Sequence, residues 1–112
     1  MRYLFLLITF LFGFDSGVVY KCEATKVEVV KDKIYYLNKK EGLKKFLKSK
    51  YQVKISFTNK DMKLSNISIP YKTILPSGYS LYGNKIFGVY VNHINNTIVV
   101  VNKNLRVFYK CQ

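Results

Sequence analysis

Over most of the chain, apolar and polar residues alternate with a period of two. Tyr51, Val53, Ile55 and Phe57 fall on one side of an extended segment, and Gln52, Lys54 and Ser56 on the other. That is the pattern of a strand with one face buried and one wet. Shorter segments of the same kind are Val18–Cys22, Lys26–Val30, Lys33–Leu37, Met62–Leu64, Ile67–Ile69, Tyr71–Leu75, Tyr79–Tyr82, Ile86–Val91, Thr97–Val101 and Leu105–Cys111. Turn chemistry separates them: Lys31-Asp32, Asn59-Lys60-Asp61, Ser65-Asn66, Pro76-Ser77-Gly78, Gly83-Asn84-Lys85 and the asparagine-rich connections 92–96 and 102–104. Pro70 lacks a ladder donor and is expected at a strand end or edge. Gly88, inside its segment, is expected to mark a bulge or a barrel bend.

One stretch has a different period. Between Glu41 and Lys50, Leu43, Phe46 and Leu47 recur at the spacing of a helix face with lysines between them. The expectation is one short amphipathic helix lying over an end of a sheet, its lysines solvated. The rival reading is a cationic helix that touches a membrane, although a helix this short binds weakly by itself.

The chain opens with Arg2 and an apolar run from Tyr3 to Phe14, closed by Asp15-Ser16-Gly17. The run has the length of a signal peptide and is shorter than the roughly 20 residues of a spanning helix. Residues 1–17 are therefore expected to be a signal peptide cut after Gly17. Residues 18–112 form a single domain, periplasmic or secreted, with no membrane span in the mature chain. In that compartment the only two cysteines, Cys22 and Cys111, are expected to pair and staple the two ends together. The spacing is not that of a Cys-x-x-Cys redox pair, and no second cysteine or histidine stands near either one to complete a metal site.

About seven to nine short strands with one helix predict a mostly β fold, a small antiparallel meander or β-barrel. Closure into a barrel would remove the exposed edges. Pairing the strand of Cys22 with that of Cys111 would close it, with the disulfide locking the seam.

Charge narrows the partners. The formal net charge is +13, and none of the six acidic residues follows Asp61. This favours anionic partners such as lipid head groups, lipopolysaccharide or acidic proteins. Export and the lack of a recognisable motif argue against nucleic acid. Catalysis is not expected. The single histidine, His93, stands at a hairpin tip, as a solvated loop residue would. The carboxylates form no motif that would orient it, and there is no phosphate loop, metal cluster or cofactor motif. Asn66-Ile67-Ser68 and Asn95-Asn96-Thr97 match the N-glycosylation acceptor pattern, which carries meaning only in a eukaryotic secretory chain. Most of the ten tyrosines fall on predicted strands, where the ring buries and the hydroxyl stays wet.

Several features together resemble a family. They are the leader, the Tyr20-Lys21-Cys22 start, the stretch Ser77-Gly78-x-x-x-Tyr82, the consecutive hairpins and the terminal Tyr109-Lys110-Cys111-Gln112. Their layout is similar to that of the bacterial inhibitors of C-type lysozyme. The resemblance implies a small periplasmic or membrane-bound β-barrel with a disulfide between first and last strands. It also implies loops that enter the lysozyme cleft and cover its carboxylates. The family pattern is Ser-Gly-x-x-Tyr with a lysine in a following loop. Here Tyr82 comes one residue late, His93 stands in the loop that should bring the lysine, and the helix is an insertion. The implied contact residues are Ser77, Gly78, Tyr82 and His93, and the implied partner is a C-type lysozyme. The alternative is a cationic envelope protein that binds anionic lipid or lipopolysaccharide through Lys39, Lys40, Lys44, Lys45, Lys48 and Lys50.

Overall fold

In a computed structural model, the structure describes residues 14–30 and 34–112. The greater part of the expected leader and the Lys31-Asp32 turn lie outside the described residues. Among the described residues nine strands and one α-helix follow in order: β1 (Tyr20–Val30), β2 (Ile34–Leu37), α1 (Lys40–Leu47), β3 (Gln52–Phe57), β4 (Asp61–Leu64), β5 (Ile67–Ile74), β6 (Ser80–Gly83), β7 (Gly88–Asn92), β8 (Thr97–Asn102) and β9 (Leu105–Cys111). A single 3-10 turn, Lys48–Lys50, joins α1 to β3.

β1 organises the sheet. Along one edge it pairs with β9, from Cys22 opposite Cys111 to Val29 opposite Leu105. Its other edge is shared: residues 20–23 pair with β3 and residues 27–30 with β2. From β3 to β9 the strands form an antiparallel meander of nearest neighbours. The β1–β9 pairing closes this into an eight-stranded antiparallel barrel, as the alternation predicted. β2 and α1 lie outside the closed ring as a flap on the far half of β1.

Two pairs of expected strands are each one strand. β1 runs unbroken because Thr25 is an extra residue opposite β9, with Ala24 facing Tyr109 and Lys26 facing Phe108. Before this bulge Cys22 and Ala24 are buried; after it Val27 is. The inserted residue changes the phase of the strand, so apolar residues at odd spacing all point inward. Thr25 itself is exposed and donates its hydroxyl to the Phe108 carbonyl at 3.3 Å. β5 likewise runs across Pro70. Tyr71 donates its N–H to Lys60 on the β4 side at 2.9 Å, so the Pro70 nitrogen faces the β6 side. There the ladder begins only at Tyr71 opposite Tyr82, and no donor is missed. The expected bulge at Gly88 does not occur: Gly88 opens β7 in unbroken register with Gly83 and Val101. The bulge in this region falls instead at Lys72.

The barrel is filled. Val53, Ile55, Phe57, Met62, Leu64, Ile69, Val89, Val91, Ile98, Val100, Val107 and Tyr109 are all buried. From α1 only Leu43 and Leu47 join this core. Phe46, expected on the same stripe, is 47% exposed.

Cys22 and Cys111 are bonded, as expected, with their Cα atoms 4.0 Å apart and a sequence separation of 89. They stand directly opposite each other, so the bond spans a pairing that the ladder already makes. Closing so long a loop removes freedom from the unfolded chain worth at most about 4–5 kcal/mol, and bridges commonly deliver about 2–4. Reducing the bond, or replacing both cysteines by alanine, should lower the urea-unfolding free energy by about 2–4 kcal/mol. Ile55→Ala should cost about 2–5 kcal/mol in the same assay, because Ile55 is 1% exposed in the barrel centre. Ile94→Ala should change stability by less than about 0.5 kcal/mol, since Ile94 is 76% exposed.

Candidate functional site

The four residues of the expected contact loop separate into two environments. Ser77 and Gly78 lie in the exposed β5–β6 turn. That turn is held by Leu75 N–H to the Tyr79 carbonyl (2.7 Å) and Gly78 N–H to the Leu75 carbonyl (2.8 Å). Gly78 sits at φ 90°, a left-handed conformation that favours glycine. Tyr82 is instead inside the barrel. It is 6% exposed, and its ring packs on Phe57 at 5.7 Å and on Tyr71 at 5.4 Å. Burial, with Tyr71 and Asp61 as lesser causes, raises its hydroxyl pKa. Tyr82 supports the mouth of the barrel from within and presents no loop surface.

His93 is not a solvated loop residue. It is half-buried, with ring centroids 5.7 Å from Phe14 and 6.1 Å from Phe57. Its Nε2 lies 3.2 Å from the hydroxyl of buried Ser80, and the Phe14 N–H points at its Nδ1 at 3.5 Å. With Nδ1 accepting from Phe14, a neutral ring would carry its proton on Nε2 and donate to Ser80. A general base would need the reverse polarity, with the serine hydroxyl donating to the imidazole. The pair is a polar contact within an aromatic mouth.

Phe14, Tyr20, Phe57 and Ser80 belong to this cluster and were not among the expected site residues. Phe14 ends the apolar run and reads as leader. Phe57 and Ser80 read as ordinary strand positions. Only the fold brings them together.

The second candidate region is the flap. Two tyrosine hydroxyls tie it to the barrel: Tyr51 donates to the Glu23 carboxylate (2.5 Å) and Tyr109 to the Lys50 carbonyl (2.7 Å). The Tyr51 hydroxyl is pushed up to about 12, first by its hydrogen bond to Glu23, then by burial and by the carboxylate's charge. Burial pushes Tyr109 up to about 12 as well. These ties anchor the strand that follows α1. On the outer side Tyr36 is 59% exposed and Phe46 47% exposed. A cleft of about 610 Å³ is lined by Tyr36, Leu37, Asn38, Lys39, Lys40 and Lys45, among others.

Glu41 lines the same cleft and forms no salt bridge among the described residues. Glu28 pairs with Lys26 and Arg106, each at 3.5 Å, and these are the only salt bridges among the described residues. Lys44 lies over the Tyr51 ring at 5.6 Å, while Lys39, Lys40, Lys45 and Lys48 are exposed. Among the described residues no group of acidic, histidine or cysteine side chains could hold a metal ion. No helix among them is long and apolar enough to cross a membrane. No family model, curated protein or solved structure matches the chain.

Burial lowers the pKa of His93 below its ordinary 6.5. The unfolded chain then binds the proton more readily than the folded one, which sets the sign of the pH dependence. This group's contribution should be fully present above about 6.5. It should be lost as pH falls from there to the depressed folded value, and change no further below it. Urea unfolding across that range should show the slope in the native chain, and His93→Asn should remove it.

Proposed function

We propose that the protein is an exported, non-enzymatic binding domain that uses its flap to engage anionic lipid head groups of the cell envelope. The observation that carries this reading is the exposure of two flap rings, Phe46 and Tyr36, beside lysines that form no salt bridge among the described residues. Aromatic residues bracketed by lysine suit a membrane interface. The ring buries at the acyl boundary while the ammonium groups meet phosphate. Each lysine near an anionic surface contributes about 1 kcal/mol, and a buried phenylalanine about 1.5–3 kcal/mol. A free peptide of α1's length would spend most of that ordering itself. Leu43 and Leu47, anchored in the core, hold the helix in place beforehand. Export is supported by the apolar run and by the disulfide, which belongs to an oxidising compartment.

A second reading, inhibition of a C-type lysozyme, is favoured by the exposed Ser77-Gly78 turn with its left-handed glycine. Against it stand the burial of Tyr82 and the charge of +13, which would repel basic lysozymes at long range.

Vesicle co-sedimentation tests the lipid reading. The protein should bind phosphatidylglycerol-containing vesicles at low salt, ignore pure phosphatidylcholine, and be released as salt rises. Phe46→Ala should weaken binding by about tenfold, the equivalent of about 1.4 kcal/mol. Lys45→Glu should weaken it further without changing thermal stability. Binding that is indifferent to lipid charge and salt would overturn the proposal. Salt-resistant retention of a C-type lysozyme on the immobilised protein would establish the second reading instead.

A further inference from the structure

The open end of the barrel is stoppered by a short piece of the chain itself. Phe14–Gly17 precede β1 and touch the sheet's main chain only at the Phe57 carbonyl, where β3 ends. Three rings surround Phe14: Tyr20 edge-on at 4.8 Å, Phe57 at 5.0 Å and His93 at 5.7 Å. Four hydrogen bonds hold the segment. Phe14 N–H points to His93 Nδ1 (3.5 Å) and Asp15 N–H to the Tyr20 hydroxyl (2.6 Å). The Ser16 hydroxyl (3.2 Å) and Gly17 N–H (3.0 Å) both reach the Phe57 carbonyl. Three of these four donors are main-chain groups, which any peptide possesses. Side-chain selection rests on the aromatic ring and on Gly17, whose φ of 81° is left-handed.

This geometry is that of a ligand in a site more than that of a structural element. The segment contributes one main-chain bond to the sheet, Gly17 N–H to the Phe57 carbonyl, and Phe14 itself stays partly exposed. Removing it would leave the barrel's pairing intact. It would uncover the Tyr20 and Phe57 rings and free the Nδ1 acceptor of His93. Such a mouth combines apolar walls with one convergent polar group, the usual make-up of a recognition pocket.

We propose that the barrel mouth formed by Tyr20, Phe57 and His93 is a recognition site for an aromatic residue on an extended, acidic peptide segment of a partner protein, and that Phe14–Gly17 occupies it in cis. The order aromatic, acidic, small, glycine is read from Phe14-Asp15-Ser16-Gly17. The net charge of +13 favours the acidic residue on encounter. The site is independent of the flap, so it stands or falls separately from lipid binding.

His93 is the only histidine in the chain, so its ring resonances report the mouth alone. The test titrates acetyl-Phe-Asp-Ser-Gly-amide into the full chain carrying Phe14→Ala, followed by NMR of the imidazole carbons and protons. In the variant the His93 signals should move away from their native positions. They should return toward them, saturably, as peptide is added. The alanine analogue of the peptide should have no such effect. The native chain should need at least about tenfold more peptide, because a tethered occupant competes at roughly millimolar effective concentration. If export removes Phe14, which mass measurement of the recovered chain decides, the native protein should respond as the variant does. Should Phe14→Ala fail to fold, Phe14→Leu, which keeps apolar bulk without the ring, takes its place. No saturable change at His93 in a folded variant would overturn the proposal, as would an equal response to the alanine peptide.

Discussion

Everything in this molecule depends on the closure of the sheet through β1. A meander of short strands has two bare edges, and a small domain has little core with which to offset the loss of chain entropy. β1 solves both problems with one long strand. Its β9 edge closes the ring, its near half seeds β3, and its far half carries the flap. The Cys22–Cys111 bond holds together the contact in the ring that joins the strands farthest apart in sequence. All other neighbours in the ring from β3 onward are local hairpins.

The same division separates the two candidate surfaces. The near half of β1, with β3, frames the aromatic mouth that holds Phe14 and His93. The far half supports α1, whose buried Leu43 and Leu47 leave Phe46 to solvent. Tyr51 and Tyr109 link the regions, each giving its hydroxyl to a group on the other side of the junction. The barrel is a frame that positions an exposed amphipathic helix and an aromatic mouth at different places.

The fold was largely legible from the sequence because the period of two is imposed by burial. Tyr51, Val53, Ile55 and Phe57 read as one buried face and form one. What local pattern could not supply was continuity. Thr25 looks like a break between two strands because the apolar phase changes there, yet a bulge changes phase without ending a strand. Pro70 looks like an end because it lacks a donor, yet it sits where no donor is needed. Phe46 matched the helical stripe, but the barrel reaches only Leu43 and Leu47. The site was less legible. Ser77 and Gly78 sit in the turn the sequence predicted. Tyr82 turned inward because its neighbours on β6 alternate, and His93 was drawn into cover by Phe14 and Ser80. Phe14 lies 79 residues from His93, and no local signal connects them.

The position of the disulfide at the very end of the β1–β9 ladder has a mechanical consequence. Lys21 and Gln112 exchange both main-chain hydrogen bonds just beyond it, at 3.0 and 2.9 Å, so the two ends of the domain leave from one corner. Tension applied across those ends would pull in the unzipping direction, breaking ladder bonds one at a time, the geometry in which a sheet resists least. The covalent bond stands at the point where peeling would start. Force drawn through the two ends therefore passes through sulfur and leaves the strands between them unloaded.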